Sequence, residues 1–385
     1  MSYRIDNTPL SSFSILASSQ YAADAALLAQ KLNDAFGVTL PVVETAQAPC
    51  ISFASACESY FQYRAVLRRC PEGLVLDGET PLLRERCMDF LVESLRRNEP
   101  ILEQNFVYHW RQGECSKGLR LLALRREVGD DGVTYYEADY RNAAGEPVLG
   151  FAVVGDPAKT RIAVEAAPSG VTEWVATHAA NAEARGETVL AGANAGFFHF
   201  FSQNSDLTPY GPQIVDGNVL CPPSTVQRYG DLYVGATHEG EVIFSDCAGY
   251  YEKYEGKLRY AVGGGPMLMT DRVLPPVRPE DPTAASYFPR SDRSDPCTFV
   301  AHAPDGTFGI LCADGRQERS VGMTSADKVQ FALDLDCGFH NIFNLDGGGS
   351  TVLIRRNREG GFDVKNIPCS DPQRPVADAI FLVKK

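Results

Sequence analysis

Short apolar runs and a one-sided helical segment alternate along the first hundred residues. The runs SFSILA (12–17), LPVVE (40–44) and CISFA (50–54) predict buried strands, because each is short, apolar and bounded by turn-forming residues. After the first run, Ser18 or Ser19 is expected to cap a helix that ends before Gly37. Its apolar residues fall on one face: Ala25, Leu28, Ala29, Leu32 and Phe36. Thr80 and Pro81 open a second helix that we expect to end near Arg97. This pattern predicts a small α/β domain over residues 1–100.

Beyond residue 101 the pattern changes to strands separated by many turns. Alternating, β-branched and aromatic stretches at 118–128, 133–141 and 146–155 predict a sheet. We therefore expect a second domain over residues 101–385, of the α+β class, with a largely antiparallel twisted sheet and packed helices. The proline-rich stretch 274–296 has no periodicity and predicts a long surface loop of the kind that serves as a lid or binding loop.

A helix with clear start and stop signals precedes the stretch NIFNLDGGGST (341–351). Thr324 and Asp327 have capping-box spacing, and Gly338 is expected to end the helix. This places Asn344 and Asp346 at the carboxyl end of the next strand, where open sheets commonly bind ligands. Three consecutive glycines are costly in backbone entropy, so their presence indicates unusual dihedrals or a close approach.

Charge and cysteine usage exclude several functions. The 385 residues carry a net charge of −13 and no long Lys/Arg cluster, which argues against a nucleic-acid partner. No run of 18 apolar residues and no signal-like start occur, so we expect no membrane partner and a cytoplasmic location. The 11 cysteines include no CxxC pair and predict reduced thiols, not a zinc site. We predict no metal ligands and no certain cofactor, although a divalent cation such as Ca²⁺ stays open because several turns carry Asp.

Four motifs together carry a resemblance to a known family. GANAGFF (192–198), GGGPML (263–268), CADGR (312–316) and above all FNLDGGGST (343–351) resemble the phosphodiester glycosidase family. The resemblance covers residues 118 onward, most closely 187–383, whereas residues 1–100 resemble the accessory domains that precede glycoside hydrolase catalytic domains. It implies hydrolysis of the glycosidic C–O bond of a sugar-1-phosphodiester, similar to an N-acetylglucosamine-1-phosphodiester. Free sugar and a phosphomonoester would be released. The expected partner is a glycan or sugar-phosphate, such as a bacterial-type cell-surface polymer or a nucleotide sugar.

Candidate site residues follow from matching these motifs. Asp346 is the first choice for a catalytic base or nucleophile, Asp314 is the second, and His199 could shuttle a proton. Asn194 would hold a sugar hydroxyl or the attacking water, Arg316 would bind phosphate oxygens, and the glycine amides after Asp346 would form an anion-binding concavity. The substrate-binding candidates are Asn194, Gly196, Arg316, Asn344, Gly347, Gly348, Gly349, Ser350, Asn366, Ser370 and Arg374.

Structural alternatives accompany these assignments. Asp346 could simply accept amide hydrogen bonds in a turn, Arg316 could pair with Asp314 or Asp346, and a histidine among aromatic residues is more often a core residue. One departure from the family matters as well. Where the family usually has Pro-Arg-Thr, this chain has Pro296-Cys297-Thr298, so Arg290 or Arg293 would have to replace the arginine, or the substrate differs. The lost arginine favours a rival hypothesis, a non-catalytic glycan-binding protein on the same fold. A phosphodiesterase that cleaves the P–O bond ranks third, because no HxH or HxxxH pattern occurs.

Overall fold

The described residues form two compact units. The computed structural model describes residues 3–5, 7–45, 48–55, 64–78, 80–98, 101, 104–108, 118–199, 207–223, 232–272 and 293–385. One unit contains residues 1–114 together with 120–123, and the other contains residues 115–119 together with 124–385. No helix within the described ranges is both long and apolar enough to cross a membrane.

The first unit is a mixed sheet with two helices. Its six-stranded sheet has the order β4-β3-β5-β7-β6-β8, with parallel pairing among β3, β4, β5 and β7. The strands are β1 (Arg4–Ile5), β2 (Thr8–Pro9), β3 (Ser14–Leu16), β4 (Val42–Val43), β5 (Cys50–Ala54), β6 (Arg64–Cys70), β7 (Gly73–Asp77) and β8 (Gln104–Tyr108). The helices are α1 (Ala22–Phe36) and α2 (Pro81–Arg97). Leu28, Leu32, Leu91 and other apolar residues of both helices share one buried cluster with the sheet.

Helix ends in this unit follow local signals, with one exception. Gly37 ends α1 in the left-handed region, and the Thr80 hydroxyl accepts a hydrogen bond from the N–H of Leu83 at the start of α2, as predicted. The prediction that Ser18 or Ser19 caps α1 is wrong. A 3-10 turn over Ser19–Tyr21 intervenes, and α1 begins after Tyr21 without a side-chain cap.

The second unit contains three antiparallel sheets. They have the orders β19-β22-β20-β21-β11-β10-β9, β12-β25-β13-β23-β24 and β15-β14-β18-β16-β17. Their strands are β9 (Arg120–Val128), β10 (Val133–Arg141), β11 (Pro147–Gly155), β12 (Thr160–Ala166), β13 (Val189–Asn194), β14 (Gln213–Val215), β15 (Asn218–Cys221), β16 (Leu232–Thr237), β17 (Val242–Asp246), β18 (Leu258–Gly264), β19 (Met267–Met269), β20 (Cys297–His302), β21 (Phe308–Ala313), β22 (Asn341–Asn344), β23 (Leu353–Arg356), β24 (Phe362–Val364) and β25 (Asp378–Lys384). The helices are α3 (Val175–Ala184), the single turn α4 (Cys247–Gly249) and α5 (Ser325–Asp334).

One apolar core connects these three sheets. Phe151 and Val153 of β11, Phe381 of β25 and Val262 of β18 belong to the same cluster of buried residues. The α+β class is therefore confirmed, with three sheets sharing a core in place of the single twisted sheet that we predicted.

Helix α5 leads directly into the strand before the glycine run. The predicted capping box of Thr324 and Asp327 is present, and β22 ends at Asn344 as the sequence indicated. The helix ends at Asp334, earlier than the stop expected at Gly338. The predicted long loop 274–296 lies outside the described residues except for residues 293–296.

Candidate active site

The DGGGS loop (residues 346–350) lies where β22, β13 and β20 meet. The N–H of Asp346 donates to the carbonyl of Ala195, 2.8 Å away, just beyond the end of β13. The N–H of Leu345 donates to Thr298 O over 2.9 Å, and that of Gly348 donates to Pro296 O over 2.8 Å. The loop is thus fixed on both sides by backbone bonds, which hold the Asp346 carboxyl in one place.

The Asn194 side chain joins the segments that meet at this loop. Its fully buried side chain donates from Nδ2 to the Asp346 carbonyl (2.8 Å), and Oδ1 accepts from the Thr298 hydroxyl (2.7 Å) and the Val352 N–H (3.2 Å). Three segments that are distant in sequence therefore meet on one amide. Asn194 thus positions the loop, and because the protein itself occupies its oxygen, a contact with substrate stays only a prediction.

Asp346 has a weakened acidity. Burial raises the pKa of Asp346 to about 6, and the nearby Asp378 carboxylate adds to the rise. The Ser350 hydroxyl, the Gly347 N–H and the Arg374 guanidinium act in the opposite direction by stabilising the charged form. The Gly347 N–H donates to Asp346 Oδ1 over 2.8 Å. A carboxyl with a pKa near neutrality can exchange a proton during a reaction at physiological pH.

Asp378 is a second carboxyl at the site that sequence reasoning missed. It opens β25, is buried, and accepts from the Gly196 N–H at Oδ1 and from Gln213 Nε2 at Oδ2, both at 2.6 Å. Its backbone carbonyl accepts from the Ala195 N–H (3.3 Å), so Ala195 links it to Asp346. Burial raises the pKa of Asp378 to about 6 as well. The available signal was an acidic residue in the otherwise apolar strand VADAIFLV.

The backbone N–H groups of Gly196 and of two loop glycines donate hydrogen bonds within the protein. The N–H of Gly196 is occupied by Asp378, and those of Gly347 and Gly348 are occupied by Asp346 and Pro296. Within the described part of the chain, only the Gly349 amide of the glycine run has no acceptor. The predicted concavity of three amides is therefore not formed.

Close packing and backbone conformation explain the glycine run. A Cβ on Gly347 would lie 2.6 Å from Pro296 O, and Gly348 has a φ of +61°. A Cβ on Gly349 would lie 2.6 Å from an Arg374 Nη atom and would also meet the Ser370 hydroxyl. The missing side chains let the loop lie against β20 on one side and admit a guanidinium on the other.

Arg316 also lies against this loop. Its Nη atoms are 3.3 Å from the position that a Cβ on Gly348 would occupy, and its Nε donates to Asp295 Oδ1 over 2.9 Å. Arg316 thus pairs with Asp295, not with Asp314 or Asp346 as the structural alternatives supposed. It is exposed and has a φ of +58°, a conformation that non-glycine residues adopt mainly where the surroundings enforce it. Two guanidinium groups, those of Arg316 and Arg374, therefore lie against adjacent glycines beside Asp346.

Asp314 and Asn366 form a buried pair behind the loop. Asp314 Oδ1 accepts from Asn366 Nδ2 (3.1 Å) and the Ile367 N–H (2.9 Å), while Asn366 Oδ1 accepts from the Leu353 N–H (2.8 Å). Burial raises the pKa of Asp314, and the bonds from Asn366 and Ile367 oppose that rise. In this arrangement Asp314 and Asn366 anchor the segment that leads to Arg374, and the catalytic role of Asp314 and the substrate role of Asn366 stay predictions.

Asn344 is likewise occupied by the protein. Its Nδ2 donates to the carbonyls of Gly265 and Leu345, both at 3.0 Å, and its Oδ1 accepts from Lys328 Nζ at 2.7 Å. Asn344 thus holds neighbouring segments together, and its contact with substrate stays a prediction. Lys328, on a buried position of α5, was not singled out by its sequence.

Two other predicted residues have less defined roles. Ser350 is fully buried, with its hydroxyl beside Asp346. His199 is partly buried, and its ring centroid lies 4.2 Å from that of Tyr210. A proton shuttle at His199 stays a prediction.

Cys297 occupies the position where the resembled family usually has an arginine, and a cysteine does not carry that positive charge. Burial raises the pKa of the Cys297 thiol to about 11, so the thiol is neutral at physiological pH. Arg293 Nε lies 3.4 Å from Asp295 Oδ2, and Arg290 lies outside the described residues. Among the described residues, no group of three or more His, Cys, Asp or Glu side chains is arranged to hold a metal ion.

Comparison with known proteins bears on the family and the fold of this chain. The model of the phosphodiester glycosidase family matches residues 187–383, just over half of the chain. A search of the curated proteins finds no match. Among solved structures, the chain is similar to a zebrafish N-acetylglucosamine-1-phosphodiester alpha-N-acetylglucosaminidase catalytic domain auto-inhibited by its pro-peptide. That similarity has a TM-score of 0.51 and 17% identity over 69% of this chain and 88% of that one.

A hypothetical protein from Synechocystis also matches, with a TM-score of 0.48 and 14% identity over 74% of this chain and 71% of that one. At 17% identity the similarity to the zebrafish structure speaks to the fold, whereas the family match covers the DGGGS loop, Asp378 and both arginines. On the strength of that match, the chain belongs to the phosphodiester glycosidase family.

Proposed function

We propose that this protein hydrolyses the glycosidic C–O bond of a sugar-1-phosphodiester, similar to an N-acetylglucosamine-1-phosphodiester. The observation that carries the proposal is the Asp346 carboxyl, with a pKa of about 6, beside two guanidinium groups. Arg316 and Arg374 lie against successive glycines of the same loop. An anionic group can bind to the arginines while the carboxylate faces the adjacent sugar carbon.

The reaction assigns one task to each group. Asp346 in its carboxylate form either takes a proton from the attacking water or attacks the anomeric carbon itself. The C–O bond to phosphate breaks, and its electron pair leaves with the phosphomonoester. Where Asp346 attacks directly, water then hydrolyses the glycosyl–Asp346 ester and frees the carboxylate. In both cases water supplies the hydroxyl of the free sugar, and its proton passes to Asp346 or to solvent.

Guanidinium groups reduce the need for a second acid in this reaction. Ordinary glycosidases protonate the leaving oxygen with a carboxylic acid. A phosphate group carries its developing charge well, and Arg316 and Arg374 would stabilise that charge through ionic hydrogen bonds. This division fits a site in which Asp378 is fully occupied by Gly196 and Gln213.

Both comparisons support this choice of substrate class. Membership of the phosphodiester glycosidase family implies a glycan-type small-molecule substrate. The similar zebrafish protein is named for the removal of N-acetylglucosamine from a 1-phosphodiester. We transfer that substrate class to this chain as part of the proposal.

A product assay tests the proposal. Wild type, Asp346→Asn and, as a matched surface control, Asp130→Asn would be incubated with a panel of sugar-1-phosphodiesters that includes UDP-N-acetylglucosamine. Free reducing sugar and phosphomonoester would both be quantified. We expect both products from wild type and from the control, and a loss of at least about 10³-fold in Asp346→Asn. Sugar-1-phosphate without free sugar would instead indicate P–O cleavage.

A non-catalytic glycan-binding protein is the alternative, and Cys297 favours it. The neutral thiol cannot supply the charge that the family's arginine carries. Glycan binding by calorimetry, with no product from any substrate in the panel, would support this alternative over the hydrolase.

A further inference from the structure

Lys328 places a charged group in the interior beside the DGGGS loop. The residue lies in the first half of α5 and is only 8% exposed. Its Nζ donates to Asn344 Oδ1 over 2.7 Å. Across the described ranges, no carboxylate oxygen lies within 4.0 Å of this Nζ, and no other hydrogen bond from it is found. An ammonium has three N–H donors, so two are unused by the described residues.

A buried ammonium without a counterion is energetically costly. Removing such a charge from water is unfavourable unless an opposite charge or good hydrogen bonds compensate. The neighbouring acidic groups are already engaged. The Asp327 carboxylate accepts from the Thr324 N–H over 2.9 Å in the capping box, and Asp295 accepts from Arg316 over 2.9 Å. The Lys328 ammonium is thus a buried positive charge in a protein whose net charge is −13.

The position of Lys328 connects it with the candidate active site. Asn344 pairs with Phe299 of β20, and Cys297 lies two residues from Phe299 on the same face of that strand. A Cβ on Gly347 would lie 3.2 Å from the Cα of Cys297, so the backbone of Cys297 contacts the glycine run. Asn344, which binds Lys328, stands two residues before Asp346 in the chain. Lys328 therefore lies near Cys297, where the family that this sequence resembles usually has an arginine.

We propose that Lys328 is an anion-binding residue of this site, and that its counterion is the phosphate group of the substrate. The proposal rests on the proposed function for its substrate, a phosphodiester. Lys328 then supplies from α5 the positive charge that the family's arginine supplies from the strand occupied here by Cys297. A lysine differs from an arginine in contributing a point charge without a planar fork, so the phosphate is held less directionally.

Phosphate binding can be measured without turnover. Inorganic phosphate would be titrated into wild type, Lys328→Gln, Lys328→Arg and the exposed control Lys253→Met by calorimetry at pH 7.5. Glutamine can still donate to Asn344 but carries no charge, so it separates the charge from the structural bond. We expect Lys328→Gln to weaken phosphate binding at least about tenfold, and Lys328→Arg and Lys253→Met to stay within about threefold of wild type.

A double variant tests whether a positive charge at position 297 can replace the one at position 328. Cys297→Arg combined with Lys328→Gln should restore at least part of the phosphate affinity that Lys328→Gln alone loses. Wild-type affinity in folded Lys328→Gln would overturn the proposal, as would an absence of measurable phosphate binding by wild type. If Lys328→Gln does not fold, Lys328→Met replaces it under the same criteria.

These outcomes remain distinct from those of the proposed function. Lys328-dependent phosphate binding without hydrolysis of any phosphodiester would support the anion site and refute the enzyme. Hydrolysis with a KM that Lys328→Gln leaves unchanged would support the enzyme and refute the role of Lys328.

Discussion

Replacing Gly349 by alanine should displace Arg374 without unfolding the protein. The added Cβ would lie 2.6 Å from an Arg374 Nη atom, whereas ordinary contacts begin at 3.4 Å, so the guanidinium must retreat by close to 1 Å. A misplacement of about 1 Å in a substrate-positioning group can cost about 10²-fold in rate. The other close neighbour is the Ser370 hydroxyl, and both are ends of partly exposed side chains that can move. Gly349 has no positive φ, so its backbone accepts alanine.

The assay compares kcat/KM and thermal stability in the same variants. Gly349→Ala should lose about 10²-fold in kcat/KM on the best phosphodiester, with a Tm within about 4 °C of wild type. Gly361→Ala is the matched control, because its Cβ would meet only Asn357 atoms at 3.5 Å or more and its φ is also not positive. Unchanged kcat/KM in Gly349→Ala would refute the assignment of Arg374 to the substrate. A large fall in Tm would show instead that this glycine is required by the fold.

Two further outcomes test the residues around Asp346. In the proposed reaction the Asp346 carboxylate is the reactive form, so kcat/KM should fall as the pH drops below about 6. Asp378→Asn removes a neighbouring negative charge and should move this limb to lower pH. A pH–rate profile measures both, and a limb that Asp378→Asn leaves in place contradicts the coupling. Asn194→Ala should cost about 3 kcal/mol of unfolding free energy in urea denaturation, since the Asp346 carbonyl, the Thr298 hydroxyl and the Val352 N–H all lose a buried partner. A cost below about 1 kcal/mol would contradict the role of Asn194 in holding the loop.

Local signals predicted much of the fold around the site. The capping box of Thr324 and Asp327, the left-handed Gly37 and the strand that ends at Asn344 all depend on neighbours within a few residues, and all are confirmed. The number of sheets was not predictable in this way. β25 pairs with β12 and β13, which precede it by far in the chain, and no local pattern encodes such a partner.

The sequence indicated which polar motif residues lie near the site better than it indicated what each of them does. Asn194, Asn344 and Asn366 looked like substrate ligands, yet each amide binds backbone groups of the protein. A sequence motif does not distinguish these two uses, because the partner groups come from other strands. Asp378 and Lys328 were missed for the opposite reason. Neither belongs to a motif, and only burial shows that an ionisable group has been kept in the interior.

The central position of β25 has a consequence for biosynthesis. This strand lies between β12 and β13, and it brings Asp378 to Gly196 and, through Ala195, to the backbone of Asp346. During translation, β12 and β13 leave the ribosome long before β25 and must wait with a gap between them. The sheet, and with it the environment of Asp346, can close only after β25 has emerged. A nascent chain that ends after the DGGGS loop would therefore carry the Asp346 carboxyl without the strand that completes its surroundings.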